Sequence, residues 1–281
     1  MTEIIRFIRC AALGLLLVTG HAWADAREDL TTAYDAFEQG DLRTAVEYLT
    51  RAINSDELAF DVLARVFLER AIMLNQLGQL TLALESYDKS LAIVPDNPDG
   101  LTARGLLLHS FGRFDDAVQD FDEALRLDPT FFVALDSRAK AFSAKGDNDR
   151  ALADLGVYIQ ALPDEWLGYH RRGNIFALRG NFTDAIADFK MAVVLNPDSS
   201  RYWFNLGNAQ LDAGLIADAE ESYSRSIDIH PERSSVFYYR GLANEALGNT
   251  RQAVSDFARA YQLRPGVPAI QEKAVQLGLL P

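Results

Sequence analysis

The stretch "YWFNLGNAQLDAGLIADAEESYSRSIDIHP", Tyr202 to Pro231, holds Trp203, Leu206 and Gly207 near its start, Ala219 and Tyr223 in its middle, and Pro231 at its end. Within it, apolar and small residues recur every three to four positions on either side of Gly214. That spacing predicts two amphipathic helices separated by a turn. Whether the stretch is one motif or one copy of many is decided by looking for its period along the chain.

Glycines at 40, 78, 112, 146, 180, 214 and 248 are each followed five residues later by alanine: Ala45, Ala83, Ala117, Ala151, Ala185, Ala219 and Ala253. Four residues further on stands a large apolar or aromatic residue: Leu49, Tyr87, Phe121, Leu155, Phe189, Tyr223 and Phe257. Prolines follow at 95, 129, 163, 197, 231 and 265. The glycine spacing is 38 once and 34 five times.

The W-x2-L-G…A-x3-Y…P pattern at 34 residues resembles the tetratricopeptide repeat, over roughly Ala26 to Pro265. Repeat six, Ser200 to Arg233, matches best, and Gln210 departs from the pattern where Tyr is usual. The resemblance implies an all-α, right-handed superhelical α-solenoid of seven helix-turn-helix repeats over residues 25–265. One helix pair cannot bury both faces, whereas stacked pairs can. Residues 266–281 read as a capping helix, with Pro268 at its first position and Ile270, Ala274 and Leu277 at helical spacing. The single long spacing, Gly40 to Gly78, carries four extra residues. It predicts a first helix of repeat two about one turn longer at its start, around Ser55 to Phe60; a longer loop is the alternative.

With the turn glycine as position 15, position 7 is Arg70, Arg104, Arg138, Arg172 and Arg240 in repeats two, three, four, five and seven. Position 23 is Asp120, Asp154, Asp188 and Asp256 in repeats three, four, five and seven. Repeats one and six lack both; only repeat two, with Arg70 and Ser86, breaks the correlation. A partly buried guanidinium needs a carboxylate, so each Arg is expected to pair with its own repeat's Asp. Duplication without contact is the alternative.

Residues 1–24 differ from the rest. Arg6 and Arg9 precede an apolar run, Cys10 to Val18, and Ala22-Trp23-Ala24 has a small-x-small pattern. This reads as a signal peptide cut after Ala24, hence a periplasmic protein; an uncleaved anchor is the alternative. Cys10 is the only cysteine, and Phe7-Ile8-Arg9 before it is not a lipidation box. A cleaved chain has no thiol, which excludes disulfides and Cys chemistry.

Formal charge is −13 with no Lys/Arg-rich run, which argues against a nucleic-acid partner. His109, His170 and His230 fall in separate repeats with no metal-ligand spacing. Gly-rich phosphate loops and G-x-S-x-G are absent, and the carboxylates follow the repeat. The reading is of a non-enzyme with no cofactor and no metal.

What remains is binding. The resemblance implies that the first helix of each repeat, helix A, lines a concave groove through positions 2, 5, 6, 9 and 12. Carried over, this gives Lys140 in repeat four; His170, Arg171 and Asn174 in repeat five; Arg201, Asn205 and Asn208 in repeat six; and Tyr238 with Tyr239 in repeat seven. Asn amides both donate to and accept from an extended peptide, and Arg and Lys hold carboxylates. Asp136 and Phe204 stand where a full carboxylate clamp has Lys, so an acidic tail and an internal segment both remain open. Leu68 and Leu106 make the groove of the early repeats more apolar. The function that follows is a scaffold of the bacterial envelope binding a segment of an envelope protein, touching the membrane only through partners. A self-associating homodimer is the second reading, and a hydrolase in the groove a distant third.

Overall fold

The computed structural model describes residues 24–279. Among them are fifteen α-helices and no strand. The expectations for the signal segment lie outside the described residues. The chain forms two compact units divided between Gly146 and Asp147. The first contains α1 (Ala24–Glu38), α2 (Leu42–Asn54), α3 (Phe60–Gln76), α4 (Leu80–Ile93), α5 (Pro98–Ser110), α6 (Phe114–Leu127) and α7 (Phe132–Ala144). The second contains α8 (Asn148–Ala161), α9 (Trp166–Leu178), α10 (Phe182–Leu195), α11 (Ser200–Asp212), α12 (Ile216–Ile229), α13 (Ser234–Ala246), α14 (Thr250–Leu263) and α15 (Pro268–Gln276). Within each unit consecutive helices pack on one another and pairs repeat along the chain, an all-α helical repeat solenoid.

The turn between paired helices is set by backbone chemistry. At Gly214 φ is +78°, a left-handed conformation that costs a residue with a Cβ about 1 kcal/mol or more. The Gly214 N–H donates to the Leu211 carbonyl at 3.0 Å and the Leu215 N–H to the Gln210 carbonyl at 2.8 Å. Both bonds satisfy carbonyls that the end of α11 leaves free, in a Schellman arrangement. Close approach of the helices is set by Gly207, where a Cβ would lie 2.6 Å from Cε1 of Tyr223. Tyr223 is fully buried there, and so is Ala219 one turn earlier on the same helix.

The first helix of repeat two is one turn longer, as the spacing predicts, but the added turn begins at Phe60; Ser55 to Ala59, where it was expected, form the connection instead. α3 has 17 residues where α5, α7, α9, α11 and α13 have 13, and the extra turn is at its start. The connection before it bends at Asp56, whose φ is +56°.

The Arg–Asp pairs form in repeats three, five and seven. Arg104 donates to both carboxylate oxygens of Asp120 at 2.9 and 2.7 Å. Arg172 does the same to Asp188 at 2.8 and 2.8 Å, and Arg240 to Asp256 at 3.0 and 2.7 Å. In repeat two, Nε and Nη2 of Arg70 donate instead to the Ser86 hydroxyl at 3.2 and 3.1 Å. In repeat six, Ser222 donates to Gln210 at 2.6 Å, so the departure at Gln210 has a buried partner of its own.

These arginines also reach backwards. The Nη1 atoms of Arg70, Arg104, Arg138 and Arg240 donate to Thr50, Asp88, Asp122 and Ser224 at 3.4, 2.8, 2.6 and 3.0 Å. All four acceptors stand at position 25 of the preceding repeat. One guanidinium therefore ties its own second helix to its neighbour's, a use of the planar fork that a Lys could not copy.

Candidate functional site

The structure brings seven of the eight candidate residues to the first helices of repeats five to seven. His170, Arg171 and Asn174 are on α9, Arg201, Asn205 and Asn208 on α11, and Tyr238 on α13. α9 touches α11 and α11 touches α13. Lys140 belongs to the first unit, on α7, where its ammonium pairs with Asp136 at 2.9 Å. Leu68, read above as facing the groove, is a correction. It is buried against Ala71, Leu74 and Tyr87, because the same helical spacing that could present it also points it into the core.

His170, Asn174 and Asn205 form one network. Nδ2 of Asn205 is 2.9 Å from Nε2 of His170 and donates to Oδ1 of Asn174 at 3.3 Å. Nδ2 of Asn174 is 3.4 Å from the same imidazole nitrogen. Burial, then the charges of Arg171 and Arg201, push the His170 pKa down to about 4. A neutral ring leaves Nε2 free to accept from Asn205. The ring lies against Tyr202, centroids 4.6 Å apart, and Tyr202 against Trp166 at 4.9 Å. Both N–H protons of the Asn205 side-chain amide are engaged, which fixes its rotamer and leaves its Oδ1 to accept.

One turn on, Asn208 Oδ1 accepts the Tyr223 hydroxyl at 2.9 Å. Its amide nitrogen keeps two donors. Beside it an aromatic group continues to α13: Phe204 lies 5.6 Å from Tyr239, and Tyr239 5.6 Å from Tyr238. Tyr238 packs in turn on Phe257 at 5.8 Å.

At the start of α11 an open depression of ≈580 Å³ is lined by Ser199, Ser200, Arg201, Tyr202, His230 and Arg233. Arg233 lies over Phe204 at 5.1 Å and donates to Ser200 Oγ at 3.3 Å. Burial, then the neighbouring Arg201 charge, lowers its pKa. Arg233 escaped the reading of the sequence because it closes repeat six, in the turn after α12, while Arg201 stands at the start of the same repeat's first helix, 32 residues before it. Only packing brings the two together.

The first unit holds a buried acid that the sequence did not single out. Glu69 on α3 is 2% exposed, and one of its oxygens accepts the Tyr34 hydroxyl at 2.8 Å. The other oxygen, Oε1, has no partner. Burial pushes its pKa up to about 7 against the Tyr34 hydrogen bond and the Arg65 charge. Among the described residues no group of three His, Cys, Asp or Glu is arranged to hold a metal ion.

Family models described as tetratricopeptide repeat match residues 137–200, 171–234 and 204–268, and another so described matches residues 98–131. A model described as TPR repeat matches residues 73–112. The chain belongs to the tetratricopeptide repeat family, whose members are in general non-catalytic scaffolds that bind protein partners. A tetratricopeptide repeat protein from Parabacteroides merdae is 19% identical, with TM-score 0.68 over 90% of this chain and 97% of that one. YrrB, described as a TPR protein with an unusual peptide-binding site, is 18% identical, with TM-score 0.59 over 69% of this chain and 99% of its own. PilF of Pseudomonas aeruginosa is 15% identical, with TM-score 0.65 over 77% of this chain and 99% of its own. Identities this low show the fold alone. No curated protein matches the chain.

Proposed function

We propose that the chain is a non-catalytic adaptor of the bacterial envelope that holds an extended segment of a partner protein along α9, α11 and α13. The observation that carries the reading is the locked amide face of α9 and α11. Hydrogen bonds inside the protein fix Asn174, Asn205 and Asn208, yet leave the Asn205 carbonyl and the Asn208 amide donors unused. An extended peptide needs this alternation of acceptor and donor, and side chains fixed beforehand lose less entropy on binding. Tyr238 and Tyr239 supply apolar area with few rotatable bonds at one end of the face. The peptide-binding site named for YrrB, a protein of like fold, supports the same use here. Placement in the envelope rests on Arg6, Arg9, the apolar run to Val18 and the Ala22-Trp23-Ala24 pattern. No helix among the described residues is long and apolar enough to cross a membrane.

The test is a photo-reactive residue at position 208, crosslinked in living cells, with adducts identified by mass spectrometry and the protein's first residue sequenced. One dominant envelope-protein adduct that disappears in Asn205→Ala is the expected result, with Asp25 as the first residue. Adducts formed only with a second copy of the chain would replace this reading with self-association.

A further inference from the structure

The depression at the start of α11 has a charge balance that the fold does not explain. Arg201 and Arg233 both line it, and among the described residues neither guanidinium has a carboxylate within 4.0 Å. Two half-buried arginines of the same unit behave differently: Arg172 and Arg240 each grip an aspartate at two points. Arg233 is half-buried, repelled by Arg201, and satisfied by one hydroxyl hydrogen bond and one aromatic face. A chain with formal charge −13 has carboxylates to spare, yet two cations face each other here. We propose that this depression holds an oxyanion, a carboxylate or a phosphate, carried by the partner segment that lies along α9, α11 and α13.

The chemistry of the lining fits an oxyanion. Arg233 spends one of its five donors on Ser200, and the planar forks of both arginines match carboxylate and phosphate oxygens. Ser200 Oγ is already ordered, 3.0 Å from Ser226 Oγ, whose own proton goes to the Ser200 carbonyl at 2.8 Å. Ser199, at the N-cap of α11, makes no side-chain bond to the helix, and the positive end of the α11 dipole lies at these lining residues. His230 also lines the depression. The depression is open, which suits a group delivered on a chain rather than an enclosed small molecule. Its wall Tyr202 is also the ring against which His170 packs, so the depression and the amide face are continuous. The proposal rests on the peptide-binding reading, and its test is chosen to fail separately from it.

The test is a nuclear magnetic resonance titration of the full chain with inorganic phosphate at constant ionic strength. A parallel selection uses peptide pools that carry Glu, phosphoserine or Gln at one fixed position. The expected result is saturable shifts at the Ser200, Arg201 and His230 amides. Affinity should fall roughly tenfold or more in Arg201→Gln, an exposed site whose change leaves the fold alone, and in Arg233→Gln. Asn205→Ala should leave phosphate binding unchanged. Enrichment of Glu or phosphoserine pools over Gln supports the proposal, and the pool that wins identifies which oxyanion the partner carries. Absence of saturable shifts, shifts indifferent to both Arg variants, or equal recovery of Gln pools would overturn it. Phosphate binding with no adduct at position 208 would instead count against the amide face, and an adduct without anion preference against the depression.

Discussion

The position-7 arginines link neighbouring repeats, and one of them lacks half of its link. Arg70, Arg104, Arg138 and Arg240 each find a hydroxyl or carboxylate at position 25 of the repeat before. Arg172 finds Gly156 there, and a Cβ built on Gly156 would meet nothing within 4 Å. Gly156→Asp should therefore supply the missing acceptor and remove a helix-interior glycine. A gain of roughly 0.5–1 kcal/mol is expected, read as a higher urea midpoint; no gain in a background of Arg172→Gln would show that the ion pair, not helix propensity, is responsible. Breaking a full link should cost more. Arg104→Ala leaves Asp120 buried without its cation, and a loss of roughly 2–4 kcal/mol is expected from the same measurement. Glu69 gives a pH test. Its folded pKa of about 7 exceeds its ordinary 4.5, so the folded state holds a proton that the unfolded chain releases between those values. Stability should thus be unpenalised below about pH 4.5, fall as pH rises, and carry a full cost of roughly 3 kcal/mol above about pH 7. Glu69→Gln should abolish that slope between about pH 5 and pH 8; an unchanged slope would remove Glu69 from the account. Of these features, the arginine–aspartate pairs were legible because both partners recur at fixed positions. Glu69 was not, since nothing in its neighbours along the chain signals that Tyr34, 35 residues away, closes over it.

At the scale of elements, sequence and structure agree wherever the repeat rule is local. Four extra residues before Gly78 become one extra turn of α3, because Ala64 and the positions after it must stay in register with the packing of the other repeats. The end of the array follows similar logic. α15 opens with Pro268 and buries Ile270 and Ala274, Ile270 in one cluster with Val236, Phe237 and Ala260. Lys273 from α15 holds Glu245 at 2.7 Å and lies 5.0 Å from the Phe257 ring. Ile270→Asp should strip this cover by placing a charge in an apolar contact. A loss of roughly 2–4 kcal/mol is expected, with α14 amides exchanging faster than those of α9 to α12. Equal exchange along all these helices would mean that α15 shields nothing. The binding face is less local. His170 and Asn205 stand 35 residues apart, and Arg201 and Arg233 stand 32 apart. The repeat rule places each on a helix but does not say which side chains hold one another, so the amide network and the anion depression emerged only from packing.

At the scale of the whole chain, a repeat array has no single long-range core to lose. Each unit is stabilised by contacts between a helix pair and the next, so damage should spread to neighbours and decay with distance along the chain. Gly207 offers a clean lesion, since a Cβ there would lie 2.6 Å from Cε1 and 2.8 Å from Cδ1 of the fully buried Tyr223. Gly207→Val must displace that ring, and overpacking of this kind costs roughly 1–3 kcal/mol or more. Hydrogen exchange followed by mass spectrometry should then show α11 and α12 losing protection first and α10 and α13 next, with α2 and α4 in the other unit unchanged. A uniform loss over both units would mean that the array unfolds as one cooperative block. The same variant also separates stability from binding. If protection falls around α11 while the Ser200 and Arg201 amides still respond to phosphate, the depression is held together by Arg233, Ser200 and Ser226 at the helix start rather than by the packed middle of the repeat.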